Sequence, residues 1–138
     1  MKSLATLIKF QKTKVDEQRL MLAKAQDALN SIVQIIARLE EQKREEQIAA
    51  KKNPEDAITY GEFVKRALEK GRELERQKQI AIAAVNAAHD KLSELFEEQK
   101  RFEIAEASRI EAQDREDRRY ETAELDEIGG VVHERRKT

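Results

Sequence analysis

The apolar residues of this chain recur at alternating steps of three and four in two long stretches, and a single proline lies between the stretches. Such spacing is the heptad pattern of coiled-coil helices. In the first stretch the recurring positions are Leu4, Ile8, Val15, Leu22, Ala25, Leu29, Ile32, Ile36 and Leu39. In the second they are Val64, Ala67, Gly71, Leu74, Ala81, Val85, Ala88, Leu92, Leu95 and Phe102. We therefore expect two helices, each with one apolar seam to bury.

The break between the two stretches lies at Asn53-Pro54. Proline has no amide donor and disfavours helix in the residue before it, so it suits the first position of a new helix. We predict a first helix over residues 3–50 with Ser3 as its N-cap, a turn over 51–55 and a second helix over 55–127. A short link favours an antiparallel arrangement in which each helix covers the seam of the other. The predicted fold is an all-α, long antiparallel two-helix coiled coil, as a single domain over residues 1–138.

The two predicted helices differ in length, at about 70 Å and about 110 Å with the usual rise per residue. The second helix should therefore overhang the N-terminus of the chain from around residue 105 onward. The seam thins there into alternating charges that support a solvated helix. Gly129-Gly130 predicts the end of that helix, and residues 128–138 are expected to form a flexible basic tail.

Composition excludes several classes of protein. Charged residues make up 40% and aromatic residues 4% of the 138 positions, which leaves little material for a thick globular core. Disorder of the whole chain is the alternative, but the regular heptads argue against it. The 27 basic residues nearly match the 28 acidic ones, unlike a dedicated nucleic-acid binder. The four lysines before Asp16 (Lys2, Lys9, Lys12 and Lys14) predict that one end meets an acidic surface.

No motif for catalysis or metal binding stands out. His89 and His133 are far apart and belong to no ligand spacing, and the glycines form no phosphate loop. A two-helix rod offers no concave pocket in which a carboxylate would become catalytic. We expect no enzyme activity, no cofactor and no metal. The absence of cysteine and of any long apolar run predicts a cytoplasmic protein without a membrane span.

The start of the second helix, residues 58–68, carries apolar residues on more than one face. If Val64 and Ala67 serve the seam, Phe63 and Leu68 flank it and at least one of them stays partly outside. These residues either close the end of the hairpin as a small core or form a patch that docks a partner.

In size, in its two arms and in several local segments the chain resembles the FliJ family, the coiled-coil stalk components of the bacterial flagellar type III export apparatus. The likeness rests on Tyr60-Gly61-Glu62-Phe63 leading to Leu68-Glu69-Lys70 after the polar turn, and on Leu125-Asp126-Glu127-Ile128 close to Arg135-Arg136-Lys137. It implies a fold like the central stalk of rotary ATPases.

The resemblance also implies partners and sites. A membrane export gate protein would bind the early part of the second helix, at Tyr60, Phe63, Val64, Leu68 and Gly71. A hexameric export ATPase would receive the end bearing both termini, with the residues Leu4, Leu7, Lys9, Lys12, Leu125, Asp126 and Glu127. Escort of export chaperones is a further family property. The protein would then be peripheral to the inner membrane through its partners only.

Three other interpretations stay open on the sequence. The chain could be the equivalent stalk of a virulence type III secretion system, a generic homodimeric coiled coil, or an RNA-binding rod. The hairpin interpretation predicts an elongated monomer in isolation, whereas a generic coiled coil predicts a dimer that depends on concentration.

Overall fold

The protein is described by a computed structural model over residues 3–137, and it consists of two long helices joined by a short turn. Helix α1 spans Leu4–Lys52 and helix α2 spans Ala57–Lys137, with a short 3₁₀ segment at Pro54–Asp56 between them. The described residues contain no strand, and α1 and α2 pack together as a hairpin. The predicted all-α helical hairpin is confirmed. Met1, Lys2 and Thr138 lie outside the described residues.

Ser3 caps the start of α1. Its Oγ accepts a hydrogen bond from the backbone amide of Thr6 at 3.2 Å, and its carbonyl accepts one from the amide of Leu7 at 3.1 Å. The first amides of a helix have no partner within the helix, so a serine in this position stabilises the helix end. The predicted N-cap at Ser3 is confirmed.

The turn between the helices is built around Asn53 and Pro54. Asn53 has an extended backbone with φ −127° and ψ 102°, and Pro54 is the first residue of the 3₁₀ segment. The amide of Asn53 donates to the carbonyl of Ala49 at 3.2 Å, and the amide of Asp56 donates to the carbonyl of Asn53 at 3.1 Å. The turn is shorter than the predicted 51–55, because Lys51 and Lys52 still belong to α1.

The chain falls into two compact units, which we describe separately. The turn unit is Lys14–Leu95, and the terminal unit is Met1–Thr13 together with Phe96–Thr138. In the turn unit, Leu39, Ala67 and Leu74 form a buried cluster against which Ile36 and Phe63 pack. The thin seam, rather than a thick core, carries the apolar burial of this unit. That residues 1–138 form one domain stays a prediction.

The seam follows the predicted positions with one exception, at Val64. Every predicted seam residue of α1 is buried or half-buried, and so are those of α2 from Ala67 to Phe102. Val64, however, is 42% exposed, and Phe63 packs on the core in its place. The alternation of steps pointed from Ala67 back three residues to Val64, whereas the structure uses a second step of four, to Phe63. Assigning Val64 to the seam was therefore wrong.

Two polar residues interrupt the seam of α1, and each reaches across to α2. In the terminal unit, Gln11 is only 3% exposed, and its Nε2 donates to Glu98 Oε2 at 2.9 Å. In the turn unit, the Nε2 of Gln18 donates to the backbone carbonyl of Ala88 at 3.0 Å. A polar pair within an apolar seam favours one register, because a shifted register leaves the polar groups unpaired.

The C-terminal part of α2 differs from the prediction. The helix runs through Gly129 and Gly130 to Lys137, beyond the predicted helix end at residue 127. That the basic tail over 128–138 is flexible stays a prediction. Neither glycine has a positive φ. Glycine weakens a helix without forbidding it, and good helix formers precede the pair. Within the terminal unit, residues 107–136 are all exposed, which agrees with an overhang that begins near residue 105.

Candidate partner-binding surfaces

A groove between α1 and α2 lies next to the turn and contains most of the predicted gate-binding residues. Its cavity is about 320 Å³. We call it the turn groove, and it is lined by Glu40, Lys43, Arg44, Gln47, Tyr60, Phe63, Val64, Ala67 and Leu68. Four of the five predicted gate-binding residues line the turn groove, so these four belong to one surface.

The floor and the rim of the turn groove differ in character. Phe63 is half-buried and packs against the Leu39 cluster, so it forms a fixed floor. Val64 and Leu68 are 42% and 51% exposed, and they form an apolar edge one helical turn long. An apolar edge beside a rigid aromatic floor is the kind of surface that takes an apolar anchor from another protein.

Charged side chains of α1 form the opposite wall of the turn groove. Lys43 Nζ lies 3.1 Å from Glu40 Oε1, and Arg44 Nη2 donates to Glu41 Oε2 at 2.5 Å. The hydrogen bond that Arg44 donates to Glu41 raises the pKa of Arg44 above its ordinary value. The groove therefore combines an apolar edge with a wall of paired charges.

Gly71, the fifth predicted gate residue, does not line the turn groove. A Cβ atom at this position would lie 3.9 Å from Leu39 Cδ2, which is an ordinary van der Waals contact. The helices therefore do not approach so closely at Gly71 that an alanine is excluded. A role for Gly71 in close helix approach, or in the groove, is not needed to explain the packing.

The predicted ATPase-binding residues fall into two groups within the terminal unit. Leu4 and Leu7 are half-buried on α1, and Lys9 and Lys12 are exposed there. The second group, on α2, consists of Leu125, Asp126 and Glu127, all exposed. Gln11 pairs with Glu98, and the helices are antiparallel, so Leu4, seven residues before Gln11, lies beside residue 105, seven residues after Glu98. Residue 105 is about 30 Å along α2 from Leu125. The structure does not bring the two groups together.

A second groove, in the turn unit, was not anticipated from the sequence. It encloses about 630 Å³ and is lined by Lys14, Glu17, Gln18, Leu20, Met21, Lys24, Lys91 and Leu95. Leu20 and Met21 are 64% and 57% exposed. The signal was present, because these two apolar residues precede the seam residue Leu22 and fall outside the heptad positions.

Ionisable side chains along the helices pair mainly with neighbours on the same helix. Hydrogen bonds from Arg76 and then Gln77 lower the pKa of Glu73, and one from Arg109 lowers the pKa of Glu106. His89 and His133 are both exposed. Within residues 3–137, no group of three or more potential ligands could hold a metal ion. No helix in that part of the chain has the length and apolar character needed to cross a membrane.

Two long helices that pack along a thin apolar seam define an all-α coiled-coil protein. The model of the flagellar FliJ protein family matches residues 1–138, so the chain belongs to the FliJ family. Family membership makes it a component of the flagellar export apparatus, in a family of export components that is not known for enzymes. No curated protein and no solved structure gives a significant match.

Proposed function

We propose that this protein is a non-enzymatic stalk and adaptor of the flagellar export apparatus. Its turn groove docks the membrane export gate protein, and its terminal unit inserts into the ring of the hexameric export ATPase. The protein is held at the inner membrane from the cytoplasmic side through these partners, and it escorts export chaperones. Family membership supports the assignment to the export apparatus. The turn groove is the observation that supports gate docking by the turn unit, which leaves the terminal unit for the ATPase.

The gate contact can be tested with substitutions that leave the seam intact. Phe63 supports the buried cluster, so its replacement would mix folding with binding, whereas Val64 and Leu68 are exposed. The double substitution Val64→Ala and Leu68→Ala should weaken binding to the purified soluble domain of the gate protein about tenfold or more, as loss of central apolar anchors does. Titration calorimetry measures the change, and circular dichroism checks that helicity is kept.

Ile80 supplies the matched control, because it is an aliphatic residue of α2, 58% exposed and outside the turn groove. Ile80→Ala should bind the gate domain like the unsubstituted chain. Equal affinity of the Val64/Leu68 variant and the Ile80 variant would remove the turn groove as the gate site.

The ATPase contact is tested by the rate of ATP hydrolysis. The chain should stimulate the purified export ATPase and promote assembly of its ring. Lys9→Glu with Lys12→Glu should reduce that stimulation, and more so at low salt, because exposed charges act over about 10 Å at 0.1 M salt. Lys51→Glu with Lys52→Glu, at the other end of α1, is the control. Stimulation that is the same for both pairs would contradict insertion by the terminal unit.

A further inference from the structure

The last exposed stretch of α2 carries an apolar face of its own. Leu125, Ile128 and Val132 follow each other at steps of three and four, so they lie on one side of the helix. They are 68%, 60% and 43% exposed, and Val131 beside them is 46% exposed. This C-terminal face has its own three-four spacing, lies on a different side of α2 from the seam and is beyond the part of the helix that α1 covers.

Charges of opposite sign lie at the two ends of the C-terminal face. Glu121 and Glu124 precede the apolar residues, and Arg135 and Arg136 follow them. A shallow groove of about 550 Å³ beside Ile128, Val131 and Val132 has Glu124 and Glu127 at one end and Arg135 at the other. Asp126 and Glu134 point away from the face, because they lie more than a quarter turn from it around the helix.

This order of charges is complementary to that of a second copy running in the opposite direction. If two copies of the face lie antiparallel, the acidic end of each meets the basic end of the other, and the apolar residues meet in the middle. In a parallel pair, like charges would meet at both ends and repel. The charge order therefore selects a second copy of the chain, in one orientation, as the occupant.

The helix itself gains from being covered. Gly129 and Gly130 each weaken an exposed helix relative to alanine, because glycine loses more backbone freedom when it becomes helical. Neither glycine has a side-chain neighbour within 4 Å. A partner that buries Ile128 and Val132 on either side of the glycines stabilises the helix across this weak point.

We propose that the C-terminal face is a self-association surface, through which two copies of the chain pair antiparallel and reversibly. The face is short, so the pair is weak, with a dissociation constant of about 0.1–1 mM. The seam between α1 and α2 takes no part in it. The pairing is a property of the isolated chain and is measured without the ATPase, because Leu125 of this face also belongs to the proposed ATPase-binding residues.

Sedimentation equilibrium of the full chain tests the pairing. The average mass should rise from 16.0 kDa toward twice that value over about 10 µM to 1 mM. Ile128→Glu should remove the increase, because it places a charge at the centre of the face. A chain that stays monomeric up to 1 mM, or an Ile128→Glu variant that still dimerises, would overturn the proposal.

Ile128→Glu could remove the dimer by disturbing the helix, so charge-reversal variants provide a second test of the pairing. Glu121→Lys with Glu124→Lys should weaken the dimer about tenfold, and so should Arg135→Glu with Arg136→Glu, since each substitution is present twice in a symmetric pair. All four substitutions together should restore the dimer. The control, Asp126→Lys with Glu134→Lys, reverses two acids on the other side of the helix and should change little. Failure of the fourfold variant to recover would contradict the antiparallel charge match.

The orientation can be measured directly, because the chain has no cysteine. A spin label on Tyr120→Cys should give a separation of about 25 Å between the copies of an antiparallel pair, from the helical rise. A parallel pair would place the labels about 10 Å apart, the spacing of packed helices. A separation near the shorter value would overturn the proposed orientation.

Discussion

Single polar residues decide how the two helices align. Gln11 is almost fully buried and pairs with Glu98, and Gln18 pairs with the carbonyl of Ala88. Apolar seam residues tolerate a shift of one heptad, because one leucine packs much like another. A glutamine amide does not, because its hydrogen-bond partner lies at one position only.

Gln11→Ala should lower the free energy of unfolding by about 1 kcal/mol, from the lost hydrogen bond and packing. Urea denaturation followed by circular dichroism measures it. Gln26 is the matched control, since it is an exposed glutamine of α1 that bonds to Asn30 on the same helix. If Gln11→Ala and Gln26→Ala have the same effect, the buried pair does not contribute to stability.

Gly71→Ala should raise the stability of the turn unit by up to about 1 kcal/mol through helix propensity. The added methyl group would meet Leu39 Cδ2 at an ordinary contact distance of 3.9 Å. Thermal unfolding measures the gain, and Gly61→Ala, with nothing within 4 Å, is the comparison. A loss of stability at position 71 alone would show that the helices need the missing side chain.

Residue patterns predicted most of this molecule, and the exceptions have physical causes. Every seam residue that the heptads of α1 predicted is buried or half-buried, because a sustained spacing of three and four leaves one choice of face. At the start of α2 both Phe63 and Val64 are apolar, and spacing alone did not decide which of them packs on Ala67. The partners of Gln11 and Gln18 depend on the register between helices, which no single-helix pattern contains.

At the scale of the elements, the C-terminal part of α2 shows where a local signal was overridden. Paired glycines predicted a helix end, yet the helix continues past them. Glycine lowers helix propensity by a limited amount, and the strong helix formers before the pair and from Glu134 onward outweigh it. The turn at Asn53-Pro54 was predicted correctly, because proline removes a hydrogen bond and glycine does not.

Gly129→Ala with Gly130→Ala should increase the helicity of the chain and slow amide exchange over residues 131–136. The cause is the gain of about 1 kcal/mol per glycine replaced in an exposed helix. Hydrogen exchange monitored by mass spectrometry measures the change. Residues 85–92, which lie in the seam of the turn unit, serve as the internal reference. Unchanged exchange after residue 130 would mean that the glycines do not limit this helix.

At the scale of the whole molecule, the seam decides between a hairpin and a generic homodimer. Leu39, Ala67 and Leu74 bury one another between α1 and α2 of the same chain, so this part of the seam is not available to a second copy. The same pairing explains why so polar a chain folds. Neither helix has enough apolar surface to be stable alone, and each completes the other.

Leu39→Cys with Gly71→Cys should cross-link within one chain under oxidising conditions, since a Cβ atom at position 71 would lie 3.9 Å from Leu39 Cδ2 and the two helices hold these side chains together. The natural chain contains no cysteine, so no other thiol competes. Gel mobility without reductant, at low protein concentration, separates a cross-linked monomer from a dimer. Leu39→Cys with Ile80→Cys, which places the second thiol at an exposed position outside the seam, should not cross-link. A parallel homodimer would instead link chains through Leu39→Cys alone.

The exposed residues 107–136 change the mechanics of α2 partway along its length. Up to Glu106 the helix is braced by a neighbour, and bending it would require sliding packed side chains past one another. After Glu106 only its own hydrogen bonds resist bending and twisting, and the glycine pair makes one place softer still. A force applied near the C-terminus would therefore be absorbed as elastic deformation of this segment before it disturbed the paired helices.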